Sequence, residues 1–241
     1  TVVTDEPERG AAGIWDIKCD ENHIYIAHSG THEISVIRHK EMLEKFLAHP
    51  DKSAIEYDLT FLYGIRDRIS VKGNGPRTIF LSGKKLYIPT YFADILNIFD
   101  TQTKKLTDTD LNPGRTETAI HKGEKYFNDA THCFQGWQSC NGCHPGDGRA
   151  DGMNWDLMND GVGNPKNCKS LLFSHVTPPS MISGIRASAE WAVRAGFKFI
   201  QFFKFTIDNC LLPLYTFFHS LSNFFRFSFY HSYPIVAVTK A

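Results

Sequence analysis

Two cysteines and a histidine form the most chemically informative pattern in this sequence. Cys140, Cys143 and His144 stand in the order C-x-x-C-H, the pattern through which c-type haem is attached covalently. Two intervening residues let both sulfurs reach the vinyl groups at the porphyrin edge, while the adjacent imidazole binds iron from the proximal side. The motif therefore predicts one covalent haem c, anchored by Cys140 and Cys143 and ligated by His144.

Zinc and thiol chemistry are the rival interpretations of this motif. A zinc knuckle also uses C-x-x-C but needs two further ligands, and His132, Cys133 and Cys168 are available at uneven spacing. A redox dithiol is expected near a βαβ pattern, which the sequence does not show. Two cysteines without a chemical role are the remaining interpretation. We favour haem because the five-residue motif is the more specific signal.

The sixth iron ligand decides between an electron carrier and a catalyst. A Met or His ligand closes the site and favours electron transfer, whereas a vacant position admits peroxide. We predict Met181 because Pro178 and Pro179 stiffen the loop that carries it. His175, Met153 and Met158 are alternatives, as is an open site, and core filling is the ordinary role of any of these methionines. No catalytic residue is assigned.

The balance of charged residues limits the class of molecule that this protein is expected to bind. The 241 residues carry 26 basic and 26 acidic side chains, so the formal net charge is zero and nucleic-acid binding is not expected. A redox partner protein or a small-molecule electron donor or acceptor is the expected partner. The chain starts at Thr1 without a leader-like segment, which favours a mature form or a fragment of a longer protein.

The first hundred residues contain a repeat. Residues 13–38 align with residues 75–100 at a constant offset of 62, and each copy has three short runs of β-branched and aromatic residues separated by turn formers. Such units are typical of β-propeller blades. The offset exceeds the usual length of about 40–50 residues per blade, so an insertion is expected, with a helix near residues 40–48. His28, His32 and His39 are interpreted as surface or turn residues.

These repeats resemble the YVTN-type propeller family over residues 12–107. The resemblance rests on a short strand, a turn and runs such as Ile34-Ser35-Val36-Ile37 and Ile95-Leu96-Asn97-Ile98. It implies about two blades, which is fewer than the four or more that a closed propeller requires. Missing blades or partner strands supplied from elsewhere would account for this.

A second resemblance covers residues 122–197. A helix is predicted over residues 116–127, before C-x-x-C-H. A "GE-x-x-F" motif is formed by Gly123, Glu124 and Phe127. An "N-x-x-S/T-L-L" motif follows at Asn167 and Ser170-Leu171-Leu172. This segment resembles the haem domain of the di-haem cytochrome c peroxidase and MauG-like group, and more closely bacterial proteins that join a YVTN propeller to such a domain. The resemblance implies haem attachment outside the cytoplasm, in the periplasm or at the cell surface.

One departure limits that resemblance. The peroxidases of the group carry two haems, whereas this chain has a single C-x-x-C-H. One-electron transfer by a cytochrome c-like domain is therefore the predicted function. A peroxide-reducing enzyme is one alternative, and a propeller-based binding or surface protein is another.

The last 37 residues differ in composition from the rest. Residues 205–241 contain ten Phe or Tyr and three formal charges, and no confident membrane span is predicted. We interpret this tail as a segment outside the selected domain, with an interfacial anchor as the alternative. The predicted fold is mixed and multidomain: partial propeller in 1–112, mostly α-helical cytochrome c domain in 113–204, and tail in 205–241.

Overall fold

Each repeat folds into a four-stranded antiparallel sheet in the computed structural model, which describes residues 1–156, 163, 165–181, 184–202 and 212–221. The first sheet consists of β1 (Ile14–Cys19), β2 (His23–His28), β3 (Glu33–Arg38) and β4 (Arg66–Ser70). The second consists of β5 (Phe80–Ser82), β6 (Lys85–Thr90), β7 (Ile95–Asp100) and β8 (Leu106–Asp110). In both sheets the strands pair in chain order.

The two central strands of each sheet reproduce the predicted repeat. β6 begins 62 residues after β2, and β7 begins 62 residues after β3. The fourth strands, β4 and β8, begin at residues 66 and 106 and are only 40 residues apart. The expected insertion therefore lies inside the first sheet, between β3 and β4. Its length accounts for the unusual offset, because the corresponding connection between β7 and β8 in the second sheet is much shorter.

The sheets share a hydrophobic core. Along each strand, alternate side chains point to the same face of the sheet. The buried side chains of this core are Tyr25, Ala27, Ile34, Val36, Val71, Ile79, Leu86, Ile88 and Phe99. Each sheet thus contributes one apolar face.

The insertion covers the opposite face of the first sheet. It begins with α1 (His39–Ala48), which confirms the predicted helix, and continues through a 3-10 turn at Ala54–Tyr57. Ile55, Phe61 and Leu62 pack with Ile26 and Ile37 from β2 and β3 in a second apolar cluster. The central strands β2 and β3 of the first sheet are therefore largely buried on both faces, whereas the edge strand β1 is mostly exposed.

Short helices follow the sheets. They are α2 (Ala119–Asn128), α3 (Cys140–Cys143), α4 (Pro145–Gly148), α5 (Ala189–Ala195) and α6 (212–221), and a two-residue β-ladder joins β9 (Asn154–Trp155) to β10 (Lys166–Asn167). α2 confirms the predicted helix, and it begins after Thr118, whose side chain accepts a hydrogen bond from the His121 amide at 3.2 Å. A hydroxyl at this position satisfies one of the free amides of the first turn.

Part of the aromatic-rich tail packs on this region. Leu214, Phe217 and Phe218 of α6 form an apolar cluster with Phe127 of α2 and Phe197. The Phe127 ring lies 5.6 Å from that of Phe217 and 5.7 Å from that of Phe218, between ring centroids. Residues 205–211 and 222–241 lie outside the described part of the chain. None of the helices within the described ranges is long and apolar enough to cross a bilayer.

Candidate functional site

The C-x-x-C-H motif lies on a single helical turn. α3 spans Cys140–Cys143, and the His144 amide donates to the Cys140 carbonyl at 2.9 Å. Residues three apart on a helix lie on neighbouring positions of one face, so both thiols project from the same side of the turn. Gly146 and Asp147 then adopt left-handed φ values of 58° and 61°, which end the helical path directly after the motif.

The Cys140 thiol lies in an apolar environment. It packs against the cluster that contains Phe127, Phe197 and the α6 side chains. Burial raises the pKa of Cys140 to about 12, so the thiol is protonated at neutral pH. The only polar side chain with a described hydrogen bond to its sulfur is Gln201, whose Nε2 lies 3.9 Å away.

The Cys143 thiol has a different neighbour. Burial is the main cause that raises its pKa to about 12, and the nearby Cys168 thiol adds to the effect through charge and hydrogen bonding. Cys168 itself is half-buried, and burial raises its pKa as well. Both thiols of the motif are therefore in the protonated form that precedes addition to a vinyl group.

The His144 ring is prepared for metal binding. Burial lowers the pKa of His144, and the backbone groups of Arg149 and Lys169 partly oppose that effect. The neutral imidazole is the form that binds metal ions, because only an unprotonated ring nitrogen has a lone pair to donate. These two backbone groups lie near the ring, but neither is within hydrogen-bonding geometry of the buried Nδ1 atom.

These observations test whether the residues fit a c-type haem. Two thiols on one face of a turn and a histidine directly after them, whose pKa burial lowers, match the donor set that haem c requires. The phenylalanine-rich cluster beside Cys140 is itself buried and gives the sulfur an apolar environment. The donor set therefore fits, with Cys140, Cys143 and His144 as the residues that would hold the group.

The predicted distal ligands lie in different surroundings. The side chains of Met153 and Met181 are 56% and 49% exposed, and Met181 has a left-handed φ of 74°. His175 instead packs against α6, with its ring 4.9 Å from that of His219, and its Nδ1 is buried without a partner. Met158 lies outside the described residues. Of the three candidates that the structure describes, His175 is the one in a packed environment, with a buried Nδ1 atom that has no hydrogen-bond partner.

Of the residues considered for zinc, Cys168 lies beside Cys143, whereas His132 and Cys133 make separate contacts. His132 lies 3.6 Å from Asp129, and Cys133 is buried with backbone amides around its sulfur. Over the described ranges, no group of three or more His, Cys, Asp or Glu side chains converges in a way that could hold a metal ion.

A buried carboxylate joins the first sheet to the motif segment. Asp129 Oδ1 lies 3.1 Å from His32 Nε2, in the turn between β2 and β3, and 5% of Asp129 is exposed. Nearby, the Ala130 amide donates to the Gly30 carbonyl at 2.9 Å. The sequence offers no signal for this contact, because His32 and Asp129 are far apart in the chain and belong to no shared motif.

An arginine joins the second sheet to α2. The Arg77 guanidinium lies 4.2 Å from the Trp15 ring, 3.9 Å from the Tyr91 ring and 4.8 Å from the Phe92 ring. Its Nη2 is also 3.7 Å from Glu124 of α2. Burial lowers the pKa of Arg77 and raises that of Glu124. Stacking on aromatic faces stabilises a partly desolvated guanidinium, so this contact positions α2 against the sheet.

Comparison with known proteins yields one partial similarity. Over 76 residues the chain is 34% identical to hydrazine synthase subunit gamma of Kuenenia stuttgartiensis. The matched segment covers 32% of this chain and 22% of that subunit. The chain thus spans about a fifth of the length of this relative. No protein-family model and no solved structure matches the chain.

Proposed function

We propose that this chain binds one c-type haem covalently through Cys140 and Cys143, with His144 as the proximal iron ligand, and that it transfers single electrons. The observation that carries this proposal is the C-x-x-C-H motif on one helical turn, with both thiols on one face and His144 directly after them. Cys140 and Cys143 are free thiols. Among the described residues, no group of metal-binding side chains converges around a common point.

The protein supplies attachment, orientation and a low-dielectric environment. The α3 turn holds the two thiols in register, and the Gly146–Asp147 turn directs the chain away after His144. The apolar cluster around Cys140 excludes water from one side of the site. When bound, haem c supplies an iron centre that gains or loses one electron, with a potential set by its axial ligand and polarity.

A maturation experiment tests the proposal. The chain is expressed with a c-type haem maturation system, and a pyridine haemochrome spectrum then measures covalent haem per chain. We expect one haem per chain. Replacement of Cys140 or Cys143 by Ser removes one thioether each and changes the haemochrome spectrum, while Cys140→Ser/Cys143→Ser abolishes covalent haem.

Two other cysteines serve as matched controls. Cys133→Ser and Cys19→Ser remove thiols outside the motif, and both keep one covalent haem per chain if the proposal is correct. Absence of covalent haem in the unmodified chain under conditions that mature a reference cytochrome would overturn it.

The spectra of the haem-loaded chain identify the sixth ligand. We propose Met181 as the sixth ligand, with His175, Met153 and Met158 as the alternatives. Each methionine is replaced in turn by Leu, and His175 is replaced by Gln. The variant that converts a low-spin spectrum to a high-spin one has lost the ligand. A high-spin spectrum already present in the unmodified chain, together with peroxide turnover, would instead favour the peroxidase function.

The proposal also concerns the fold of the two four-stranded sheets, the location of the protein and its partner. We infer that they are propeller blades of the YVTN type, because each has four antiparallel strands in chain order and the two pack face to face through alternate apolar residues. Haem attachment implies export, so we propose a periplasmic or cell-surface location. A redox partner protein or a small electron donor or acceptor is the proposed partner.

A further inference from the structure

We propose that Gln201 is a positioning residue for the haem thioether at Cys140, an inference that rests on the proposed function. The side chain of Gln201 reaches Cys140 from a distance of 61 residues in sequence, and its Nε2 donates to the Cys140 sulfur at 3.9 Å. It is a polar contact to the thiol within an otherwise apolar cluster.

The Gln201 side chain is buried at an energetic cost. Only 4% of the residue is exposed, and its Oε1 atom is buried without a hydrogen-bond partner. A buried polar atom without a partner destabilises the fold, so such groups are rare unless a bound group or a function compensates for them. Leu or Met would fill the same volume without this cost.

The backbone holds Gln201 firmly in place. α5 ends at Ala195 and continues as a single π-helical turn at Gly196–Ile200, after which the Gln201 amide donates to the Gly196 carbonyl at 2.9 Å. The Gln201 carbonyl accepts from the Phe134 amide at 2.8 Å, which ties it to the segment before the motif. Single π-turns inside helices occur frequently at functional sites, where they shift the direction of the following side chain.

The chemistry of the contact gives a direction for its effect. An amide N–H aimed at the Cys140 sulfur would place the positive end of a dipole beside a haem attached through that sulfur. The reduced iron centre carries one more electron than the oxidised centre, so this dipole stabilises the reduced form. Gln201 therefore raises the reduction potential and orients the sulfur for attachment.

The experiment compares three variants of the full chain matured with haem. In Gln201→Met we expect at least a twofold lower yield of covalent haem. We also expect at least a twofold weaker preference for the reduced form, which corresponds to a reduction potential lower by about 18 mV at 59 mV per tenfold. Gln201→Glu keeps the shape but adds negative charge, and it lowers the potential further. Unchanged yield and potential in Gln201→Met, in a chain that carries haem, would overturn this inference alone.

Gln138→Met is the matched control. The Gln138 Nε2 donates to the Ile200 carbonyl at 3.2 Å, so this amide supports the same π-turn without a described hydrogen bond to Cys140. We expect it to lower the thermal midpoint and leave the potential unchanged. An equal potential shift in both variants would show a general packing effect and would overturn the inference. If the unmodified chain carries no covalent haem, the proposed function fails and this inference fails with it.

A second readout uses the chain expressed without haem maturation. There Gln201→Met removes the unpartnered oxygen, so its thermal midpoint stays equal to or above that of the unmodified chain. A lower midpoint in the haem-free chain would show that the amide serves the fold itself, which contradicts the inference.

Discussion

His32 Nε2 lies 3.1 Å from Asp129 Oδ1, and this contact joins a turn of the first sheet to the segment that leads into the C-x-x-C-H motif. The carboxylate also accepts from the Thr131 amide at 2.8 Å. Both side chains are largely buried, so water does not replace the contact when it is lost. The position of the motif segment against the sheet depends on this carboxylate.

Asp129→Asn should therefore lower the free energy of unfolding by about 1–3 kcal/mol at pH 7, because it removes a charge-assisted contact in a buried environment. Urea unfolding followed by tryptophan fluorescence measures the change. A free energy within about 0.3 kcal/mol of the unmodified chain would contradict the prediction.

The same variant has a defined pH dependence. Burial alone would raise the pKa of Asp129, but the hydrogen bond and charge of His32 and the hydrogen bond from Thr131 hold it below its ordinary value. Such a carboxyl stabilises the fold fully above its unfolded pKa of about 3.9, and this contribution is lost as the pH falls through the folded value. The difference between Asp129→Asn and the unmodified chain should shrink below about pH 4. A constant difference from pH 7 to pH 3 would contradict it.

Glu33 should contribute strongly to the stability of the first sheet. Its carboxylate is fully buried, accepts from Arg9 Nη2 at 2.9 Å and pairs with Arg68, which is itself nearly buried. Glu33→Gln leaves Arg68 with the Glu6 carboxylate, 3.1 Å away, as its remaining described ion pair. We expect a loss of about 3 kcal/mol in urea unfolding, because the variant removes one carboxylate of a buried network.

A surface pair provides the matched control for Glu33. Asp67 lies 3.6 Å from Arg38 and its side chain is 61% exposed. Solvent screens this pair, so Asp67→Asn should change the free energy of unfolding by less than about 0.5 kcal/mol. Equal losses in the two variants would show that burial does not determine the strength of these pairs.

His28 should make the stability depend on pH. Burial lowers its pKa to about 4, while its Nδ1 and Nε2 lie 2.8 Å from the Ala11 carbonyl and the Ser35 hydroxyl. The unfolded chain binds a proton to this histidine below about pH 6.5, whereas the folded chain binds it only below about pH 4. This contribution to stability is complete above about pH 6.5 and is lost as the pH falls towards 4, on the order of 3 kcal/mol in all.

His28→Gln removes this titration. We expect its urea midpoint to vary less between pH 6.5 and pH 4.5 than that of the unmodified chain. Parallel pH profiles for the two proteins would show that His28 is not buried as a neutral ring.

Gly123 tests the packing of α6 on α2. A Cβ atom at Gly123 would lie 2.1 Å from the Pro213 carbonyl oxygen and 2.7 Å from Phe217 Cβ, which is closer than non-bonded atoms approach. Gly123→Ala should therefore lower the free energy of unfolding by about 1–3 kcal/mol. If α6 did not pack there, the same change inside a helix would stabilise the chain by about 0.5–1 kcal/mol. The sign of the change in thermal unfolding decides between the two arrangements.

Local patterns determined much of the secondary structure. The spacing of apolar residues predicted the helix at 40–48, and the runs of β-branched residues predicted the central strands, because both signals depend on neighbours within a few residues. The C-x-x-C-H motif likewise predicted that Cys140, Cys143 and His144 act together. The interpretation of His28 as a surface or turn residue was wrong, since it is fully buried between Ala11 and Ser35.

Other features depended on the path of the whole chain. A sequence assigns no partner to Gln201, and only the fold brings it to Cys140. The aromatic tail has no period that predicts its neighbours, yet part of it packs on Phe127 as α6. The contact between His32 and Asp129 also joins residues from different parts of the chain. The sequence by itself determined the local elements and predicted the attachment chemistry that we propose, because these follow from residue type and short spacing. The tertiary structure alone decided burial, and with it the protonation of the thiols and the imidazole, because burial depends on which distant segments exclude water from a group.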